Sequence, residues 1–154
     1  MKRTLDFVSL AALALIAAIT VLALAGPNRL PDRIPVHFDG SGHANGWASP
    51  FALVGLPAGA LVLYALMSLV SRYPGAFNFP TRVTAANRRR LEALALQMIA
   101  WLKAEMMCLL LWVQHFTIQA ARSGRGVLPL AFMPITLGIV LGTIAVYFVQ
   151  FRRS

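Results

Sequence analysis

Three side chains between the first two apolar segments could together bind a metal ion: His37, Asp39 and His43. In an extended strand, His37 and Asp39 would point to the same face, because side chains two residues apart share a face. If His43 returned to that face after a turn, the three ligands and a water would form an open zinc site. Asp39 precedes Gly40, however, and this pair is typical of a turn. We therefore expect no metal and no cofactor, and keep the three residues as alternative ligands.

Two further ionisable side chains, Glu105 and His115, lie inside the third apolar segment. Glu105 is expected about 9 Å inside the cytoplasmic boundary, from the helical rise of about 1.5 Å per residue. An ionisable group at this depth is costly and often functional. Alternatively, the boundary lies deeper and water reaches the carboxylate. Lys103 cannot pair well with a residue two positions away, so we expect it to extend to the membrane surface.

Polar residues at the outer end of the third segment, Gln114 and His115, are expected to make packing hydrogen bonds. The single cysteine, Cys108, excludes an internal disulfide and is typical of a small packing residue. The sequence contains no nucleophile motif, Gly-rich phosphate loop or paired carboxylates. We therefore predict no catalytic residue and no enzymatic activity.

The elements that must position these residues are four long apolar segments. The 154 residues are 58% hydrophobic and 12% charged, with a mean hydropathy of +0.70. A helix of about 20 residues crosses the hydrocarbon layer, where its backbone groups must pair internally. The predicted fold is therefore all-α: one integral membrane domain over 1–154, a four-transmembrane-helix bundle with an ordered extracytoplasmic loop between helices one and two. The helices are predicted at 7–25, 51–70, 85–121 and 127–151, and the loop at 26–50.

The basic residues predict how the helices are oriented. The net charge is +9, and the basic residues flank the apolar segments, which favours membrane lipids over nucleic acid as partners. Nine lie on one predicted side: Lys2, Arg3, Arg72, Arg82, Arg88, Arg89, Arg90, Arg152 and Arg153. Four lie on the other: Arg29, Arg33, Arg122 and Arg125. The richer side is the cytoplasm. Both termini are therefore predicted in the cytoplasm and the loop outside.

The first segment also has features of a cleaved signal peptide, with basic residues before an apolar run. The run exceeds the about 7–15 residues of a signal core, so we favour a membrane anchor. Gly55 and Gly59 are four residues apart, as are Gly138 and Gly142. This spacing lets helix backbones approach closely, which would fit packing of helices two and four. It fits the general abundance of glycine in membrane helices equally well.

The first loop has the composition of an ordered segment. Pro31 and Pro35 favour extended backbone around them. Asp39-Gly40 and Asn45-Gly46 are turn dipeptides. Trp47 is suited to the head-group region of the membrane. These residues predict an extended arm that doubles back and rests on the membrane.

The same residues resemble the pattern of domain of unknown function 1648. The loop motif is Leu30-Pro31-Asp32-x-Ile34-Pro35-x-His37-Phe38, then Gly42, then Gly46-Trp47-x-Ser49. The second connection is similar too, with Tyr73-Pro74, Phe77-Asn78-Phe79-Pro80 and Asn87-Arg88. The resemblance implies loop residues Pro31, Pro35, His37, Phe38, Gly42, Gly46, Trp47 and Ser49, and connection residues Asn78 and Pro80.

This family pattern also forms the N-terminal part of SdpI, a bacterial immunity protein. The resemblance implies a bacterial inner-membrane protein, a non-enzymatic immunity or signalling accessory that meets a peptide or protein at its outer face. It also implies that His37 holds the loop, which we expect through hydrogen bonds to nearby backbone. One alternative is a transporter or channel subunit, with Glu105 and His115 lining a path in a homo-oligomer. Another is a metal-dependent membrane enzyme using His37, Asp39 and His43.

Overall fold

Four long helices dominate the structure, a computed structural model that describes residues 1–27, 30–124, 129 and 132–153, without the side chains at 132 and 133. The helices are α1 (Lys2–Ala25), α2 (Gly55–Val70), α3 (Arg88–Ser123) and α4 (Phe132–Arg152). Each is long and apolar enough to cross a membrane, when the 3-10 turn Pro50–Val54 is counted with α2. The prediction of a multi-pass helical membrane protein is confirmed. Arg29 and Arg125, used in the orientation argument, lie outside the described residues.

The helix ends differ in places from their predicted positions. α1 begins at Lys2, earlier than predicted, so Asp6 lies inside the helix. Basic side chains can occupy the end of a membrane helix because their long stems reach the surface. The predicted start of the fourth helix at 127 lies outside the described residues.

The start of α3 is closed by reciprocal hydrogen bonds between Thr84 and Asn87. The Thr84 backbone N–H donates to Asn87 Oδ1 at 2.7 Å, and the Asn87 N–H donates to Thr84 Oγ1 at 3.3 Å. Arg88 N donates to the Thr84 carbonyl at 3.1 Å. This is the reciprocal arrangement of a capping box, and it holds the turn that leads into α3.

The connection between α1 and α2 contains a β-hairpin, so the prediction of an all-α fold is wrong here. Strand β1 (Ile34–Phe38) pairs antiparallel with β2 (Ala44–Ala48). The register shifts on both sides of His37. Pro35 lacks the N–H that a regular ladder needs. The extended arm predicted from the prolines is therefore strand β1, and the segment that doubles back is strand β2.

The core is built around α3, which contributes to every buried apolar cluster among the described residues. From the hairpin end to the opposite end, the clusters are Ala23, Ile34, Leu53, Ile118 and Ala121; Ala12, Ile16, Ala60 and Met107; Leu5, Ala100 and Ala104; and Leu91, Ala95, Tyr147 and Phe151. α1 packs most extensively on α3, followed by α4. Large apolar side chains on the outer faces of α1, α2 and α4 are exposed, as lipid-facing residues are.

The glycine pairs do not mark a close helix crossing within the chain. A Cβ atom built at Gly55, Gly59, Gly138 or Gly142 would meet no atom within 4 Å. The hypothesis that these pairs pack helices two and four together is therefore wrong for contacts inside one chain. α2 and α4 instead each pack on α3.

Candidate functional site

The hairpin is anchored to the helices by the start of its first strand. Ile34 is fully buried, and it packs with Leu53 and with Ile118 of α3. Pro35 is buried beside it. Arg33 Nη2 donates to the Trp47 carbonyl at 3.3 Å and ties the two strands together. The family residues Pro35 and Trp47 are thus joined in one unit that is fixed to the end of the bundle.

His37 is exposed and is held from the opposite strand. Its Nδ1 contacts Asn45 Oδ1, so with the amide oxygen as acceptor this nitrogen carries the proton. The predicted backbone partner is wrong, because strand pairing puts the Asn45 side chain within reach first. Gly46 pairs with His37, and a Cβ at Gly46 would lie 2.8 Å from His37 Cβ. The close approach of the strands at this point requires glycine.

Asp39 organises the turn between the strands. Its Oδ1 accepts from Ser41 N–H at 2.9 Å, Ser41 Oγ at 2.6 Å and His43 N–H at 3.0 Å. The Ser41 hydroxyl and then the His43 backbone amide hold the pKa of this carboxyl below its usual 3.8. Gly42 completes the turn with a φ of 84°, a region that favours glycine. Asp39 is therefore a turn residue, as the Asp-Gly pair indicates.

Two of the three alternative metal ligands, Asp39 and His43, share Ser41 as a hydrogen-bond partner, and the third, His37, has a partner of its own. His37 contacts Asn45, and the Asp39 oxygen is used by the turn. His43 Nδ1 lies 2.9 Å from Ser41 Oγ. Within the described ranges, no three His, Cys, Asp or Glu side chains form a group that could hold a metal ion. The structure does not bring these residues together as a site.

Two apolar side chains of the hairpin are exposed. Val36 is 40% exposed and Trp47 is 45% exposed, whereas Ile34 and Pro35 of the same strand pair are buried. Phe38 is half-buried. A rigid strand pair with an exposed indole is a suitable surface for recognising another molecule.

The second connection is held by its aromatic residues. Phe77 and Phe79 pack on the cluster that includes Leu91 and Phe151, with the rings of Phe79 and Phe151 5.9 Å apart. The predicted residue Asn78 lies between the two rings in sequence and Pro80 follows them, and both are exposed. Arg88 Nη2 also donates to the Gly75 carbonyl at 3.4 Å. The alternation of buried and exposed side chains explains the spacing of this motif.

Glu105 faces α4. Thr143 Oγ1 donates to Glu105 Oε1 at 2.5 Å. The other carboxylate oxygen, Oε2, is buried and has no hydrogen-bond partner among the described residues. His115 lies elsewhere. It is exposed, and its ring is perpendicular to that of Phe116, with the ring centres 5.4 Å apart. The two residues line different, mostly apolar cavities, so the structure does not join them in one polar path.

Lys103 was missed as an interior charge, and its predicted extension to the surface is wrong. It is 5% exposed, and its Nζ donates to Asp6 Oδ1 at 2.7 Å and to Ser68 Oγ at 3.4 Å. The ammonium also lies 4.8 Å from the centre of the Tyr64 ring. An opposite charge on α1 therefore keeps it between the helices. The sequence contains a signal for this ion pair, because Asp6 is the only acidic residue beside the first apolar segment.

Gln114 joins three elements at the hairpin end. It is fully buried, and its Nε2 donates to Thr20 Oγ1 at 2.7 Å and to the Leu53 carbonyl at 3.0 Å. Thr20 Oγ1 in turn donates a hydrogen bond to the Ile16 carbonyl at 2.7 Å. The prediction that Gln114 makes packing hydrogen bonds agrees with this geometry.

Comparison with known proteins identifies the region that contains the hairpin. Residues 13–61 match the family described as "Domain of unknown function (DUF1648)". This region is a DUF1648 domain. The DUF1648 match spans the second half of α1, the hairpin and the first part of α2. The family resemblance of the loop motif is therefore confirmed.

Two other comparisons give little further information. The chain is similar to the human protein "Proteinase-activated receptor 4", with 42% identity over 115 residues, which are 72% of this chain. The chain spans only 28% of that receptor's length. No solved structure matches the chain.

Proposed function

We propose that this chain is a bacterial inner-membrane protein of the SdpI-like class, which recognises a peptide or protein at its outer face through the DUF1648 hairpin. It acts as a non-enzymatic immunity or signalling accessory. The observation that supports this role is the contrast within the hairpin: Ile34 and Pro35 are buried against the helices, while Val36 and Trp47 stay exposed. An anchored strand pair offers a binding surface that needs little ordering when a partner arrives.

The mode of recognition follows from the shape of the hairpin. A sheet of two strands has an unpaired edge on each side, and an extended peptide can add to such an edge through backbone hydrogen bonds. Trp47 supplies the kind of side chain that contributes most to binding at protein interfaces. The backbone would give affinity for an extended segment, and the indole would give specificity.

The sidedness of the proposal depends on the basic residues. Those at the N-terminus, in the connection between α2 and α3 and at the end of α4 outnumber those near the hairpin. This distribution supports cytoplasmic termini and an outer hairpin. Reporter fusions test it: fluorescent protein joined to either end should fluoresce, and alkaline phosphatase inserted after Gly40 should be active. An active phosphatase at either end would reverse the proposed orientation.

Protection of living cells tests the function. A strain that lacks this protein is grown in spent medium from its parent, which contains any secreted toxin. We expect impaired growth that is restored by the wild-type chain but not by Trp47→Ala. Phe51→Ala is the matched control, because Phe51 is 74% exposed but lies beyond the hairpin. Normal growth of the deleted strain, or full protection by Trp47→Ala at equal membrane abundance, contradicts the proposal.

The alternatives are less well supported by the geometry. A conducting path would need polar continuity between Glu105 and His115, but these residues border separate cavities with mostly apolar linings. A metal enzyme would need His37, Asp39 and His43 to converge, but the Asp39 oxygen is used by its own turn.

A further inference from the structure

Two grooves open beside Glu105 at the surface of the bundle that faces lipid. One, of about 660 Å³, lies between α1, α3 and α4 and is lined by Leu5 and Val8 among others. The other, of about 530 Å³, lies between α3 and α4. Trp101, Glu105 and Ile139 border both. Each groove has the volume of a site for a small organic molecule.

Glu105 is the acidic side chain that borders these mostly apolar grooves. One of its two carboxylate oxygens has no hydrogen-bond partner among the described residues. Thr143 occupies Oε1, while Oε2 is buried without a partner in the part of the chain described. Leaving a buried polar atom unpaired is costly, so such an atom is often completed by a ligand. Lys103 does not neutralise it, because that ammonium is bonded to Asp6 on the other side of α3.

Aromatic side chains flank the carboxylate in both grooves. Trp101 borders both, Trp112 borders the larger groove, and Tyr147 borders the smaller one. Aromatic rings attract cations, and Trp and Tyr do so strongly when water is excluded. A small metal ion would lack ligands here, since hard cations need several oxygen atoms. The combination of one carboxylate, several rings and apolar walls is instead complementary to an organic cation.

We propose that Glu105 and the surrounding rings of Trp101, Trp112 and Tyr147 form a membrane-embedded binding site for a lipophilic organic cation. The ammonium group of the ligand lies against Glu105, and its apolar body fills the grooves. This site is independent of the proposed role of the hairpin, because it is centred midway along α3 and uses none of the hairpin residues.

Binding of rhodamine 6G, a fluorescent lipophilic cation, tests the site. The full chain is placed in lipid nanodiscs, and dye anisotropy is compared with empty nanodiscs. We expect saturable binding that Glu105→Gln weakens about tenfold or more, as loss of one charge interaction in an apolar site does. Glu92→Gln is the matched control, since Glu92 lies on α3 outside both grooves and pairs with Arg88. Its affinity should equal that of the wild type.

Two additional measurements separate charge recognition from simple partition into an apolar groove. Nile red, an uncharged dye, should bind the wild type and Glu105→Gln equally, which also shows that the variant is folded. Tetraphenylphosphonium should displace rhodamine 6G from the wild-type protein, a test that needs no substitution. The proposal is overturned by wild-type binding no greater than that of empty nanodiscs, by equal rhodamine binding to Glu105→Gln, or by failure of the competitor to displace the dye.

Discussion

Lys103 and Glu105 are two residues apart on α3, yet their surroundings differ completely. Lys103 is enclosed between α1, α2 and α3, where Asp6, Ser68 and Tyr64 contact its ammonium group. Glu105 lies beside α4 with one hydrogen bond, and its second oxygen has no partner among the described residues. Residues two apart on a helix differ by about 200° in direction, so one helix serves both environments.

The difference shows how a structural charge can be distinguished from a candidate binding group inside a membrane. Lys103 is buried and Glu105 is half-buried, but the clearer difference lies in their hydrogen-bond partners. In the Lys103 cluster the ammonium group already has an opposite charge, a hydroxyl and an aromatic ring as partners. Glu105 borders two open grooves, and one of its carboxylate oxygens is buried without a partner among the described residues. Unused hydrogen-bonding capacity next to accessible space is therefore the more informative sign of function.

The largest predicted effect is on the closed cluster. Lys103→Met leaves the Asp6 carboxylate without its cation and should lower the free energy of unfolding by about 3 kcal/mol. This is near the lower end for a broken buried pair, because the Asp6 side chain is 37% exposed. Detergent-induced unfolding followed by circular dichroism measures it.

Two controls sharpen the result for Lys103. Adding Asp6→Asn to Lys103→Met should restore more than half of the lost stability, because the uncompensated charge is removed. Arg90→Met changes an exposed cation of the same helix and should have little effect. If Lys103→Met is as stable as the wild type, the cluster does not hold the helices together.

A neutral buried network should give a smaller effect. Gln114→Leu removes the hydrogen bonds to Thr20 and to the Leu53 carbonyl. We expect a loss of about 1 kcal/mol in the same unfolding experiment, within the range measured for hydrogen bonds between membrane helices. A loss equal to that of Lys103→Met would mean that charge is not what distinguishes the closed cluster.

Glu105→Gln should change stability least among the buried groups. Glutamine keeps an acceptor for the Thr143 hydroxyl, and the oxygen that it replaces has no partner in the described chain. We expect a change of no more than about 0.5 kcal/mol, below the average of a membrane hydrogen bond. A loss as large as that of Lys103→Met would break the comparison and make Glu105 a structural residue.

Asp39 provides a reference in water for the acidic side chains of the membrane helices, Asp6 and Glu105. The Ser41 hydroxyl and the His43 amide hold its pKa below 3.8 in the folded turn. Since the folded pKa is lowered, its stabilisation is present above the unfolded value of 3.8 and is lost as pH falls through the folded pKa. The NMR shifts of the Ser41 and His43 amides should titrate with a midpoint below 3.8. Asp39→Asn should abolish this titration, and a midpoint above that of a free Asp would contradict the geometry.

Several features could be predicted because they depend on short stretches of sequence. An uncharged run of about 20 residues is enough to specify a membrane-length helix, and Asp39 before Gly40 is enough to specify a turn. The sequence predicts only the extended first strand and the turn of the hairpin, and not the pairing of its strands. Its prolines indicate extension, but strand pairing depends on the turn bringing Gly46 opposite His37, which puts the Asn45 side chain against the His37 ring. The partner of His37 could therefore not be read from its neighbours in sequence.

The sequence by itself determined that the chain lies in a membrane and crosses it as helices, because lipid leaves backbone groups no other way to pair. It also determined the family pattern of the loop. Tertiary structure alone decided the hydrogen-bond partners of Lys103 and Glu105. Each partner is on another helix: Asp6 on α1 for Lys103, and Thr143 on α4 for Glu105. Hydrophobic patterning does not determine which helix each group faces. The packing of the helices pairs Lys103 with Asp6 and leaves one oxygen of Glu105 without a partner among the described residues.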